Sequence, residues 1–126
     1  MSIKIDMEGV SAGGLEPLPA GVYDAVVAAV KYHPSSQSSG QPYVEFEFTL
    51  PDHAGRKQWR NYSLQPQALW ALKQTLVRLG VEVPDGELEL EPSDLIGLPC
   101  RLQIEVKPHY RDPDREDNDV TELLEA

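Results

Sequence analysis

One cysteine, two phenylalanines and two tryptophans in 126 residues leave this chain short of the groups that usually announce a chemistry. A lone thiol, Cys100, excludes an internal disulfide. It falls with the apolar positions of the alternating run Cys100-Arg101-Leu102-Gln103-Ile104-Glu105-Val106, and is expected as a small core residue. No stretch of about 18 apolar residues is present, so no membrane-spanning helix is expected. Met1 to Val10 carries Asp6 and Glu8 and lacks the apolar centre of a signal peptide, so the chain reads as soluble and cytoplasmic, with no membrane partner. Enzyme signatures are equally scarce. His33, His53 and His109 are far apart, there is no close-spaced metal cluster and no glycine-rich phosphate loop. Glu45 and Glu47 resemble an acid pair but are explained by strand alternation, and Ser35, Ser36, Ser38 and Ser39 sit in a turn without a base. A non-enzyme without cofactor or metal is expected.

Cations are outnumbered, at 11 against 21 acids, for a net charge of −10. That imbalance is segregated. Residues 82–94 hold six acids and no cation; residues 112–126 hold seven acids and only Arg115. The remainder holds ten cations and eight acids, so most of the chain offers no net repulsion to a polyanion.

The chain is long enough for one domain with its own core. Residues 1–20, with Gly13-Gly14, Pro17 and Pro19, read as an arm or edge strand leading into a domain over 21–126, which includes the acidic segment 112–126. Gly21 to Tyr32 is dense in β-formers and is expected as a long strand buried on both faces for part of its length. Pro34 to Gly40 is a polar turn. Val44, Phe46, Phe48 and Leu50 then alternate with Tyr43, Glu45, Glu47 and Thr49, the pattern of a strand with one face in the core. Pro51 to Gly55 is a hairpin loop, and a third strand runs from about Arg56 to Leu64. Pro66 suits a first helical turn; Leu69, Leu72, Leu76 and Leu79 form an apolar stripe that Gly80 ends. Trp70, one step off the stripe, is expected to pack. After the acidic loop, Pro92 to Gly97 forms a single turn. Cys100 to Val106 is the fourth strand, and Val120 to Leu124 closes the sheet. Five short, mostly antiparallel strands with one helix between the third and fourth predict a mainly β, OB-like five-stranded barrel. An α+β sheet with one packed helix is the alternative.

Arg56, Lys57 and Arg60 interleave with Trp59 and Tyr62, with no acid among them. Single-stranded nucleic acid asks for this combination: cations for phosphates and aromatic faces for unstacked bases. In a regular strand Arg60 and Tyr62 share one face and Lys57 and Trp59 the other, so one pair faces the core. Leu64 shares the parity of Tyr62, which makes Tyr62 a core candidate as well. A second basic-aromatic group, Lys107, His109, Tyr110 and Arg111, follows strand four. Loops after strands one and four border the usual OB cleft, and Tyr32, His33 and Tyr43 flank the first of them.

In its order of landmarks the chain resembles a family of bacteriophage proteins related to single-stranded-DNA-binding proteins. The matching pieces are Leu18-Pro19-Ala20-Gly21-Val22-Tyr23, Ser38-Ser39-Gly40-Gln41-Pro42, the strand Trp59 to Leu64, Leu69-Trp70-Ala71-Leu72-Lys73 with Leu79-Gly80, and Asp94-Leu95-Ile96-Gly97. They span most of residues 15–124. The resemblance implies an OB-like fold and DNA binding in phage replication or recombination, in the host-cell cytoplasm, and fixes no binding residue. The expected partner is single-stranded DNA, bound with little sequence preference, with the acidic tail available to replication or recombination proteins and self-association left open. The alternatives are a non-enzymatic interaction module whose acidic loop and tail engage a basic partner, and an enzyme accessory or DNA mimic.

Overall fold

A computed structural model describes residues 2–5, 17–36, 39–108 and 116–126. Five strands, β1 (Gly21–His33), β2 (Tyr43–Leu50), β3 (Arg56–Ser63), β4 (Pro99–Pro108) and β5 (Glu116–Leu124), form one antiparallel sheet in the order β3-β2-β1-β4-β5. Among the described residues a single α-helix, α1 (Leu69–Arg78), lies between β3 and β4 in sequence and packs against β3 and β5, the two edges of the sheet. The sheet is not closed: among the described residues β3 and β5 are not paired, although they approach one another. No helix among the described residues is long and apolar enough to cross a membrane.

The long first strand is shared between two partners. Its first half pairs with β4, from Gly21↔Ile104 to Val26↔Pro99, and its second half with β2, from Val26↔Thr49 to His33↔Tyr43. Between Val27 and Ala29 the register shifts by a β-bulge. An extra residue reverses the parity of every side chain after it. Tyr23, Ala25 and Val27 therefore face the core before the bulge, and Val30 shares the core face after it. This is why the segment shows no single alternation in sequence. The bulge is held by the turn before β4: Gly97 N–H donates to the Val27 carbonyl at 2.8 Å, and Val27 N–H to the Leu98 carbonyl at 3.0 Å.

β2 alternates as expected. Val44, Phe46, Phe48 and Leu50 are buried, and the residues between them are half-buried under neighbours on β1 and β3. At the β2–β3 turn Ala54 (φ 57°) and Gly55 (φ 70°) take successive left-handed conformations. Of the helical stripe, Leu72, Leu76 and Leu79 are buried, whereas Leu69 stays 41 % exposed. A 3-10 turn, Pro66–Ala68, precedes the helix. The helix ends in a Schellman motif: Gly80 at φ 86° donates to the Val77 carbonyl, and Val81 N–H donates to the Leu76 carbonyl. Arg78 ties the helix to β5, donating to Glu122 Oε1 at 2.8 Å and to the Leu123 carbonyl at 2.6 Å.

Two features were not expected. Val81, Val83, Leu88 and Leu90 pack against the core while the intervening acids Glu82, Asp85, Glu87 and Glu89 face outward, so the acidic loop is laid down on the protein. The arm is also anchored. Leu18 is buried, and its backbone N–H and carbonyl are both bonded to the Asn118 amide on β5, at 2.8 and 2.9 Å.

Cys100 lies in the core, where burial pushes its thiol up to about 12. An exposed cysteine titrates near 8.5, so a disulfide reagent at neutral pH should leave the native protein unmodified and label one thiol per chain in denaturant. Rapid stoichiometric labelling of the native protein would contradict the packing.

Tyr62 is 2 % exposed. Its ring meets Phe46 edge-on with centroids 5.2 Å apart, and its hydroxyl accepts a 2.6 Å hydrogen bond from Thr75 on α1. Burial raises its hydroxyl above the ordinary tyrosine range. Tyr62→Phe removes the acceptor and should cost about 1–2 kcal/mol at neutral pH, because Thr75 can turn partly to helix backbone. A raised folded-state value means stability that is whole below about pH 10, where unfolded tyrosine ionises, and that falls as pH climbs toward the folded value. The gap in unfolding free energy between parent and variant should therefore narrow above pH 10. A gap that widens there would contradict the assignment.

Candidate nucleic-acid interface

The cationic island of β3 is divided by the pleat. Phe46↔Arg60, Phe48↔Gln58 and Val44↔Tyr62 are cross-strand pairs, which places Arg60 and Tyr62 on the core side. The Arg60 guanidinium sits 5.0 Å from the Tyr62 ring centroid and is half-buried at the sheet edge. Tyr62 is thereby corrected as a stacking candidate: its ring is enclosed between Phe46 and the helix. Arg56, of the same parity, is also half-buried. Lys57 and Trp59 point the other way and are exposed, Trp59 at 52 %.

The outer face of β1, β2 and β3 carries Lys57 and Trp59 beside Glu47, then Lys31, Glu45 and Asn61 in one cross-strand row, and His33, Tyr43 and Ser63 in the next. The His33 and Tyr43 rings are stacked, 4.6 Å apart and 7° from parallel. Tyr43 and Trp59 are about 14 Å apart along the pleat, from the rise per residue and the strand spacing, so each can meet a different base. A polar recess of about 490 Å³ opens beside Tyr43, lined by Asn61, Ser63 and Gln41.

Glu45 and Glu47 run through the middle of this surface, and Glu47 is held by two partners. Glu47 Oε1 accepts the indole N–H of Trp59 at 3.1 Å and lies 3.9 Å from Lys57 Nζ. Glu45 Oε1 lies 3.8 Å from His33 Nε2, and Lys31 is its cross-strand neighbour. The face is thus close to neutral. Trp59 is exposed and Tyr43 half-buried against His33, and Lys57 is partly spoken for by a carboxylate that a phosphate would have to displace.

The other candidates are not all on this surface. Tyr32, of opposite parity to His33, is 62 % exposed and turns to the helix side of the sheet. Lys107 lies on β4 past the point where that strand pairs with Gly21, whereas Lys57 is level with Val26 through Thr49, so the strand register does not align them. Lys107 Nζ is 3.4 Å from Asp119 Oδ1. Tyr110 and Arg111, with His109, lie outside the described residues. Among the described residues no three His, Cys, Asp or Glu side chains are grouped as metal ligands.

A second surface was missed in the sequence. Trp70, expected to pack, is 68 % exposed. With Tyr32, Leu69 and Lys73 it lines a groove of about 720 Å³ between the end of β1, α1 and the acidic loop. The available signal was its place one step off the leucine stripe, where a large side chain lies at the boundary of the buried face.

A scan against protein-family models finds no match to this chain, and no curated protein matches it.

Proposed function

We propose that the chain binds single-stranded DNA, with little sequence preference, across the outer face of β1, β2 and β3, and serves phage replication or recombination. The observation that carries this reading is the exposed Trp59 beside Lys57, on the same face as the Tyr43–His33 stack. Bases are sequence-tolerant stacking partners, and duplex DNA keeps them out of reach. The fold supports it: curling the sheet until β3 meets β5 gives an OB-like barrel of five strands with α1 across its end. So does the resemblance to phage single-stranded-DNA-binding-like proteins. Affinity rests more on stacking than on charge here. With at most Lys31, Arg56, Lys57 and Arg60 available, the slope of log affinity against log salt should be no steeper than about −3, at about 0.7 per phosphate neutralised.

Fluorescence anisotropy with a labelled oligonucleotide, single-stranded and duplex, across a salt series is the test. Preference for the single strand with that shallow slope is expected. Equal affinity for duplex, or no binding at low salt, would refute the reading. Trp59→Ala should weaken binding about tenfold, as expected for loss of one stacked base, with little change in melting temperature because the ring is exposed. Glu47→Gln keeps an acceptor for the indole but releases Lys57, so it should tighten binding several-fold at low salt and less at high salt. An unchanged affinity in both variants would place the binding elsewhere.

A further inference from the structure

We infer that the groove between Tyr32, α1 and the acidic loop docks a basic, apolar peptide segment of a partner protein, a site independent of the DNA reading. Three of the large apolar side chains that the fold leaves exposed, Tyr32, Leu69 and Trp70, line this one groove. Single exposed apolar residues are ordinary; a contiguous group around a concave, apolar floor marks a binding surface. The floor rests on the core itself, on Val44, Leu72 and Leu76 of the buried cluster, so it is built of apolar side chains. Trp and Tyr at the mouth are the residue types that anchor protein interfaces.

Charge decides the partner. Asp85 and Glu87 line the groove and are exposed, and the segment that carries them, residues 82–94, has six acids and no cation. Lys73 is the one cation among the lining residues. Asp85 stands exposed in the bend between Val83 and Leu88, and Glu87 alternates with Leu88, which sets both carboxylates at the rim. A phosphate backbone would be repelled there. A peptide that offers leucine-like side chains to the floor and lysine or arginine to the rim is complementary in both respects, and its cations also meet the faces of Trp70 and Tyr32. An amphipathic helix laid in a groove is the general form of such recognition.

The full chain with Trp59→Phe retains Trp70 as its only tryptophan and so reports on the groove. Titration with a synthetic amphipathic peptide of leucine and lysine should give a saturable blue shift of Trp70 emission. Its glutamate counterpart, and a peptide of equal positive charge with serine in place of leucine, should each bind at least tenfold more weakly. Asp85→Asn with Glu87→Gln should weaken the leucine-lysine peptide about tenfold, whereas Glu89→Gln with Glu91→Gln, an equal change of charge outside the lining, should leave it within twofold. Equal loss in both double variants, or equal binding of the serine peptide, would reduce the effect to bulk attraction by an acidic protein and overturn the proposal. Two further results would also overturn it. A concentration-dependent dimer with Trp70 already shielded would assign the groove to a second copy, and a shift on adding single-stranded oligonucleotide would assign it to DNA.

Discussion

The sheet depends on one strand having two partners. β1 must pair with β4 along its first half and with β2 along its second, and the bulge between Val27 and Ala29 is where the exchange is made. A straight strand with continuous parity would carry the side chains after Ala28 to the wrong face and push Val30 out of the core. The bulge is not left to the strand itself. Backbone bonds from Gly97 and Leu98 hold Val27 in place, and Leu95 beneath that turn is fully buried. The turn before β4 therefore does more than connect; it sets the point at which the sheet changes partners, and hence where the helix and the acidic loop can cover it.

The same parity change decides which of two consecutive residues faces which surface. Tyr32 and His33 are consecutive, yet one borders the helix-side groove and the other stacks on Tyr43 on the outer face. The outer face is nearly charge-neutral and aromatic, with Glu47 engaged by Lys57 and Trp59. The groove is apolar and acid-rimmed. The two differ in charge and share no side chain.

Much of this was legible in the residues. β2 declared itself because a strand with one buried face needs period-two alternation, and the leucine stripe and Gly80 marked α1 because a one-sided helix needs period 3.6 and a left-handed stop. Cys100 followed from its phase in β4. Parity on β3 paired Lys57 with Trp59 and Arg60 with Tyr62, and Leu64 pointed to Tyr62 as the inward member. What was not legible depended on tertiary geometry. A bulge leaves no mark in a run of β-formers such as Val26-Val27-Ala28-Ala29-Val30, so the side taken by Tyr32 was hidden. Trp70 and Leu69 lie where the helix overhangs the sheet, and only the docking of α1 decides whether that end is covered. The acidic loop was read by its charge, which obscured Val81, Val83, Leu88 and Leu90 as a second, weaker alternation. The line between site and scaffold on β3 was thus half visible: the partition could be read, but not the engagement of Glu47.

The bond between Leu18 and Asn118 spans 100 residues. On a growing chain the β2–β3 hairpin can form as soon as it emerges, since its contacts are local. The arm, by contrast, has nothing to hold until β5 has been made, and Arg78 likewise waits for Glu122 and Leu123. Vectorial synthesis must therefore pass through a stage in which one sheet edge and the inner side of the helix are unfinished, and that stage lasts until β5 has been made. Closing contacts at such separation is entropically slow.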